Sequence, residues 1–303
     1  MAKTRTDYWW KILTTLFVAL FLIGGTLGKA AAQAETPGQP GAQAKEAEEV
    51  AKEQKADKPE FSGSVDMLSQ YVWRGIALSR NGIVFQPSMT VSYKGFSANI
   101  WGNWDIYENN PYGSTAPNRG AAKWNETDFT FSYSKEVIKN LTLTGGIIYY
   151  ALDSNNSPYD SFELFGGAAY SFPWFDVSFQ AYREVANFPG WYLTWSISKS
   201  ITLPVEIKFL ADKPSLDLMA GWSAELSNSK STFPTESGSF YRSMHAGVLQ
   251  AGLNIPVLKH ITVTPKVIYW YGLGGQSTYT LRSLSWDGLQ NHILGGFSVS
   301  TSF

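Results

Sequence analysis

Hydrophobic and polar positions alternate along residues 293–303, at the C-terminal end of the chain. One set of positions holds Phe297, Val299 and Phe303, and the set between them holds serines. Because successive side chains of an extended strand point to opposite faces, this pattern predicts a β-strand with one apolar and one small polar face.

The same alternation recurs from Phe61 onward, in segments separated by turn-forming residues. If residues 205–211 and 216–223 formed separate strands, the chain would have thirteen strands. A membrane-spanning β-barrel is the fold that such strands would build, and single-chain bacterial barrels have an even number of strands. We therefore treat residues 202–214 as an extended connection and predict twelve strands, with fourteen as the alternative. The predicted strands lie near residues 65–74, 85–93, 96–105, 127–134, 141–149, 162–170, 175–182, 191–197, 216–226, 243–255, 261–271 and 293–303.

The two faces of these strands differ in chemistry. Ser, Thr, Asn, Gln and acidic residues on one face suit a wet lumen, and the apolar face suits lipid. No segment after Lys29 is apolar over the ~20 residues that a spanning helix needs, and a closed barrel is the other structure that satisfies the backbone in a bilayer. Short connections alternate with longer ones. We predict an all-β fold, a transmembrane antiparallel up-and-down β-barrel over residues 61–303.

Aromatic residues gather near the predicted strand ends, where the interfaces between membrane and water would lie. We interpret both groups as interfacial anchors. The expected outer girdle is Tyr71, Trp73, Tyr149, Tyr182, Trp191, Tyr269 and Tyr271, and the expected inner girdle is Tyr93, Phe96, Tyr133, Tyr170, Phe172, Trp174 and Phe303.

The N-terminal residues 1–32 have the order of a secretory signal peptide. Basic residues precede a short apolar run over residues 12–22, and small residues follow it. We expect cleavage after Ala32, with Ala34 as the alternative.

Residues 33–60 differ from everything that follows them. They are rich in Ala, Glu, Lys, Gln and Pro, and contain no aromatic residue. Such a composition predicts a flexible, charged periplasmic segment. A short partner-binding or coiled-coil helix over residues 42–58 is the alternative.

Composition narrows the functional classes. The absence of cysteine excludes a disulfide-stapled domain and a thiolate metal site. The formal net charge is −1, and removal of residues 1–32, with four basic residues and one acid, leaves about −4. No basic surface is available for nucleic acid. We expect no cofactor and no nucleic-acid partner.

Two motifs resemble those of a known family. Residues 69–76 read Ser-Gln-Tyr-Val-Trp-Arg-Gly-Ile, and residues 94–105 read Lys-Gly-Phe-Ser-Ala-Asn-Ile-Trp-Gly-Asn-Trp-Asp. Both are similar to the TorF-type porins of the Gcw_chp family, and the resemblance extends over residues 61–303. It implies a pore in the outer membrane of a Gram-negative bacterium and brings no catalytic residues.

Charged and amide side chains on the expected lumenal faces are the candidate pore-lining residues. Arg74 would belong to a selectivity constriction, or would be a structural arginine paired with Asp66, Asp105 or Asp128. Because acids outnumber bases on these faces, a conducting pore would weakly prefer cations. The candidates are Asp66, Gln70, Arg74, Asn99, Asn103, Asp105, Glu126, Asp128, Glu163, Asp176 and Lys266, and the expected barrel-assembly signal is Phe297, Val299 and Phe303.

These features predict a channel for passive diffusion of small hydrophilic solutes or ions. Its partners would be outer-membrane lipid and the barrel-assembly machinery. A structural or adhesive barrel with a plugged lumen is the first alternative. The second is an outer-membrane hydrolase that uses His245 or His292 with Ser243 or Ser285, although no nucleophile motif accompanies them. Three unclustered histidines, the third being His260, argue against a metal site.

Overall fold

The computed structural model describes residues 58–79, 82–108, 121–153 and 159–303. Its strands are β1 (Glu60–Leu68), β2 (Val72–Trp73), β3 (Ile76–Ala77), β4 (Val84–Tyr93), β5 (Phe96–Glu108), β6 (Ala121–Ile138), β7 (Leu141–Leu152), β8 (Ser161–Ser171), β9 (Asp176–Glu184), β10 (Gly190–Thr202), β11 (Ser215–Ser227), β12 (Arg242–Leu258), β13 (Ile261–Gly272) and β14 (Asn291–Ser302). The described residues also form a short helix, α1 (Gln276–Leu284).

Twelve of these strands close into an antiparallel up-and-down barrel, as predicted, while β2 and β3 form a separate two-stranded sheet. The barrel closes where β14 pairs with β1 over seven residue pairs, from Ser62–Ser302 to Leu68–Gly296. Phe303 and Phe61 then exchange backbone hydrogen bonds of 2.9 and 3.2 Å. We call this end of the barrel the terminal end and the opposite end the loop end.

The connections differ in length between the two ends. Lys94-Gly95 is a tight turn at the terminal end, with φ of 51° and 88°. Residues 203–214, which also lie at the terminal end, join β10 to β11 without another strand in the sheet. The choice of twelve strands over fourteen is therefore confirmed.

Side chains of the barrel strands alternate between the two faces of the wall. Outward positions hold exposed apolar residues such as Met89, Phe131 and Ile293. Inward positions near the terminal end hold buried Ser and Thr residues, including Ser64, Ser132, Ser198, Thr264 and Ser300. Toward the loop end the inward residues become large, as with Trp101, Tyr150, Tyr182, Tyr192 and Trp270.

The first strand is shorter than the alternation predicted. β1 ends at Leu68 rather than continuing to Arg74, because the chain turns into the barrel there and forms β2 and β3. We call β2, β3 and their connecting turn the lumenal hairpin. Above it lies α1, which was not predicted from the sequence and whose Leu281 is fully buried.

The predicted signal peptide and residues 33–57 of the charged segment lie outside the described residues, as does the connection between β5 and β6, residues 109–120. The helix α1 is short and partly polar, and no helix of the described chain has the length and apolar character needed to cross a membrane.

Candidate functional site

The lumenal hairpin turns at Arg74 and Gly75. Trp73 pairs with Ile76, and both turn residues have positive φ, 52° for Arg74 and 85° for Gly75. Two residues with positive φ make the tight hairpin turn whose twist matches that of its strands. A Cβ atom on Gly75 would lie 2.7 Å from that of Ala246. Arginine rarely adopts this backbone conformation, so the turn is held by contacts of the Arg74 side chain.

Arg74 is paired with Glu163 on the far wall of the barrel. Its two terminal nitrogens donate to the two carboxylate oxygens at 2.8 and 2.7 Å, which is the bidentate geometry of a strong ion pair. Tyr150 donates a further hydrogen bond to Glu163 at 2.8 Å. Arg74 is 5% exposed and Glu163 is 2% exposed. This ion pair therefore ties the tip of the hairpin to β8.

Aromatic rings enclose the guanidinium of Arg74. Its central carbon lies 4.1 Å from the ring centre of Tyr192, 4.2 Å from that of Trp73 and 5.0 Å from that of Tyr182. Such contacts stabilise a cation that has been removed from water. The ion pair and the rings together explain how a charged side chain is buried in the lumen.

Polar contacts fix the base of the hairpin to the segment after α1. The backbone N–H of Ala77 donates to Ser285 Oγ, and that of Trp286 donates to the carbonyl of Ala77 at 2.9 Å. Gln70 donates from Nε2 both to the carbonyl of Ser79 and to Asp287, each at 2.9 Å. The hairpin and the α1 connection are therefore docked on each other.

Apolar packing holds the hairpin against one side of the barrel. Val72, Ile76 and Ala77 belong to a buried cluster with side chains of β11 to β14 and with Leu281 of α1. Other members of this cluster are Met219, Val248, Ile268, Trp270 and Leu294. Since the hairpin packs on this wall and its Arg74 reaches β8, the hairpin crosses the lumen.

The remaining predicted pore-lining residues lie at several levels of the barrel. Asp66 and Lys266 form an ion pair, in which Nζ of Lys266 lies 2.8 Å from Oδ2 of Asp66, and both residues are buried. Asn103 bonds Gln86 and Asn125, at 3.0 and 2.7 Å. Asn99 donates to the hydroxyls of Ser88 and Thr90. Asp176 begins β9 at the terminal end and is partly exposed.

Three acids lie near the loop end. Glu126 and Asp128 are neighbours on the inward face of β6, and both are buried. Asp105 is fully buried and accepts a hydrogen bond from the backbone of Tyr107 at 2.9 Å. None of the three forms an ion pair within the described residues, in contrast to Asp66 and Glu163.

A cavity of about 550 Å³ opens beside Arg74 at the loop end. Among the described residues, four carboxylates and one guanidinium line this cavity, which we call the loop-end cavity; they belong to Glu126, Glu163, Glu184, Glu225 and Arg74. The rest of its wall is largely apolar and aromatic, and includes side chains of the hairpin, of α1 and of the connection between β11 and β12.

Some expectations from the sequence were wrong. Arg74 is on the turn of the lumenal hairpin rather than on the first barrel strand, and its partner is Glu163 rather than Asp66, Asp105 or Asp128. Tyr71 and Tyr182 were expected in the outer girdle, yet both are buried inside the barrel. The reason is that the residues around Arg74 form a small apolar core inside the lumen, to which these aromatics contribute.

The tyrosines beside the Arg74–Glu163 ion pair were not identified from the sequence as parts of a site. Tyr150 and Tyr192 lie at inward positions of β7 and β10, where the alternation alone separates them from the outward residues. Their signal is that large aromatic residues stand at inward positions near the loop end, where Ser or Thr would leave the lumen open. Strand register is needed to read that signal.

In the described part of the chain, the hydrogen-bond and ion-pair partners of the three histidine side chains are groups other than serine hydroxyls. His245 is buried, and its Nδ1 lies 2.9 Å from the Tyr241 hydroxyl. His292 Nδ1 lies 3.2 Å from Asp287, and His260 Nδ1 lies 2.8 Å from the carbonyl of Ser302. Across the described residues, no group of three His, Cys, Asp or Glu side chains is arranged to hold a metal ion.

These features define a closed twelve-stranded barrel whose lumen is crossed by an anchored hairpin. The chain belongs to the Gcw_chp family, described as a bacterial protein of unknown function, and the family model matches residues 52–223.

Among solved structures, the chain is similar to a KdgM porin, with 12% identity, coverage of 80% of this chain and 99% of that one, and a TM-score of 0.45. The COG4313 outer membrane channel from Pseudomonas putida F1 has 8% identity, coverage of 83% and 98%, and a TM-score of 0.45. LpxR from Salmonella typhimurium has 6% identity, coverage of 80% and 99%, and a TM-score of 0.44. No curated protein matches the chain.

Proposed function

We propose that the protein is an outer-membrane channel for small hydrophilic solutes or ions, with the lumenal hairpin as its narrowest part. The observation that carries this proposal is the division of the barrel wall into two faces. Large apolar side chains such as Met89, Phe131 and Ile293 are 67%, 56% and 72% exposed on the outside. A contiguous apolar belt on that scale needs lipid around it.

The inward face supports transport rather than a purely structural role. From the terminal end up to the hairpin, many of its positions hold Ser and Thr, whose small polar side chains suit a lining that takes up water. The resemblance of residues 69–76 to the TorF-type porins supports the same assignment.

Insertion is proposed to depend on the C-terminal strand. Phe297, Val299 and Phe303 point outward and are 37%, 40% and 74% exposed. We expect deletion of Phe303 to reduce the amount of folded barrel in the outer-membrane fraction, and Phe303→Tyr to retain it. Correctly assembled protein in normal amounts after the deletion would contradict this role.

Planar-bilayer recording with the purified protein tests the channel. We expect discrete conductance steps that are small for a twelve-stranded barrel, because the hairpin crosses the lumen. A protein that seals the bilayer both with and without its hairpin would be a structural barrel. Phospholipid hydrolysis that is abolished by His245→Ala or His292→Ala would replace the channel with the hydrolase alternative.

A further inference from the structure

Among the described residues, the wall of the loop-end cavity carries more carboxylates than basic groups. Of the four carboxylates in its wall, Glu163 is neutralised by Arg74. Glu184 accepts hydrogen bonds from the backbone N–H groups of Ala186, Asn187 and Phe188, at 2.8 to 3.0 Å. These two acids are accounted for by contacts within the protein.

Glu225 is different. It lies on β11, is 3% exposed, and lines the cavity. Within the part of the chain that the structure describes, its carboxylate forms no ion pair, although the positive charge of Arg74 lies near it. A buried carboxylate without a directly contacting cation is costly. A cation in the cavity would supply that direct contact.

Two aromatic rings stand in the cavity wall with Glu225. Tyr192 is one of the rings that enclose Arg74, and Phe233 stacks on Tyr241 beside His245. Rings of this kind attract an ammonium group as well as a guanidinium. Ile76 and Leu284 add apolar surface to the same wall. The wall therefore offers a carboxylate and aromatic rings to a positively charged group. It also offers an apolar lining to the hydrocarbon part of a molecule that bears such a group.

We infer that the loop-end cavity binds a small organic cation, in which one ammonium group is carried on an apolar body. The ammonium lies against Glu225 and the ring of Phe233. The volume of about 550 Å³ is within the range of small-molecule sites. This inference rests on the proposed channel in one respect, since it takes the bound cation to be a transported solute.

Isothermal titration calorimetry on the full chain, refolded in detergent, tests the site with three probes of one shape. They are 2-phenylethylammonium, the neutral 2-phenylethanol and the anionic 3-phenylpropionate. We expect saturable binding of the ammonium, weaker binding of the alcohol and none of the carboxylate. Glu225→Gln should weaken binding of the ammonium about tenfold, because a charge-assisted contact is lost. Glu206→Gln, at an acid that is 82% exposed in the connection between β10 and β11, is the matched control and should leave binding unchanged.

Equal affinity for the ammonium and the alcohol would overturn the inference, and so would unchanged binding in a folded Glu225→Gln protein. Folding is checked by the mobility of unheated samples in gel electrophoresis. If that variant does not fold, the ranking of the three probes by the wild-type protein decides alone. Ammonium binding by a barrel that does not conduct supports the site and contradicts the channel. Conductance without ammonium binding retains the channel and contradicts the site.

Discussion

The same strands form both halves of the barrel, but the inward side chains of the two halves differ in size and polarity. Near the terminal end the inward positions are small and polar, as with Ser64, Ser198 and Ser300. Near the loop end they are large, and the lumenal hairpin packs among them. A single strand shows the change along its length, since β10 runs from Tyr192 at the loop end to Ser198 toward the terminal end. The hydrogen-bonded wall therefore does not determine the width of the bore. The inward side chains determine it.

The difference also separates two ways of stabilising a barrel. In the terminal half the backbone ladder is accompanied by hydrogen bonds between small inward polar side chains, such as Ser178 and Ser196. In the loop half there is also a small protein core, with apolar packing and one buried ion pair between Arg74 and Glu163. A core of that kind can be removed without breaking the ladder. The predictions below make use of this independence.

The largest effect is expected when the filling of the loop half is removed. Replacing residues 71–78 by a short Gly-Ser linker leaves β1 and β4 paired, because their register extends only to Leu68 and Val84. We expect the barrel to assemble and its conductance in a planar bilayer to rise several-fold, on the order expected when a plugged lumen becomes open. Conductance equal to that of the wild type would mean that the narrowest point lies elsewhere.

A smaller effect is expected when the hairpin stays but loses its anchor. Arg74→Ala leaves the buried carboxylate of Glu163 unpaired, at a cost of about 3–5 kcal/mol. The free energy of undocking the hairpin should fall by that amount. The chain has no cysteine, so Ala77→Cys gives a unique probe at a fully buried position. We expect the maleimide labelling rate at this cysteine to rise about a hundredfold or more, as local opening becomes easier.

Arg74→Lys is the matched control for that experiment. It keeps the charge but loses the bidentate geometry and the flat contact with the rings. Labelling between that of the wild type and that of Arg74→Ala is the expected result. If Arg74→Ala labels no faster than the wild type, the apolar cluster alone holds the hairpin, and the ion pair contributes little to closing the lumen.

A third test places a large aromatic side chain at an inward position of the terminal half. Ser196 is an inward residue of β10 whose hydroxyl lies 2.8 Å from that of Ser178. In the protein without its hairpin, Ser196→Trp should reduce the conductance, because a ring then enters the open bore. Ile197→Trp places the same ring on the outward face and should have no effect on conductance. An equal effect of both substitutions would show that the two faces have been interchanged.

The sequence predicted the strands of the barrel wall better than the residues that fill the lumen. Alternation, turn residues and the need for an even strand number were sufficient for twelve strands and for the connection over residues 203–214. The hairpin was read as part of the first strand, because Tyr71 and Trp73 continue the period of two. The inward position of Leu68, an apolar residue where the terminal half has serines, is the local sign that the strand was entering a packed region. The Arg74–Glu163 pair joins segments 89 residues apart, and no local pattern encodes such a contact.

The smallest effect concerns ion selectivity. Asp66 is neutralised by Lys266 and Glu163 by Arg74, so we expect the other inward acids, Glu126 and Asp128 among them, to give the preference. We expect reversal potentials in a potassium chloride gradient to show a weak preference for cations. Glu126→Gln should reduce it, whereas Glu206→Gln, in the exposed connection between β10 and β11, should not.

Screening limits how far each of these charges acts. The Debye length is about 10 Å at 0.1 M salt and about 3 Å at 1 M. The preference should therefore shrink as the salt concentration rises, and it should be clearer in the protein without its hairpin, where ions pass close to Glu126 and Asp128 without Arg74 beside them. An anion preference that persists after Arg74 is removed would mean that the inward acids are protonated or masked. The contrast between the two halves would then be one of size alone, with no electrostatic part.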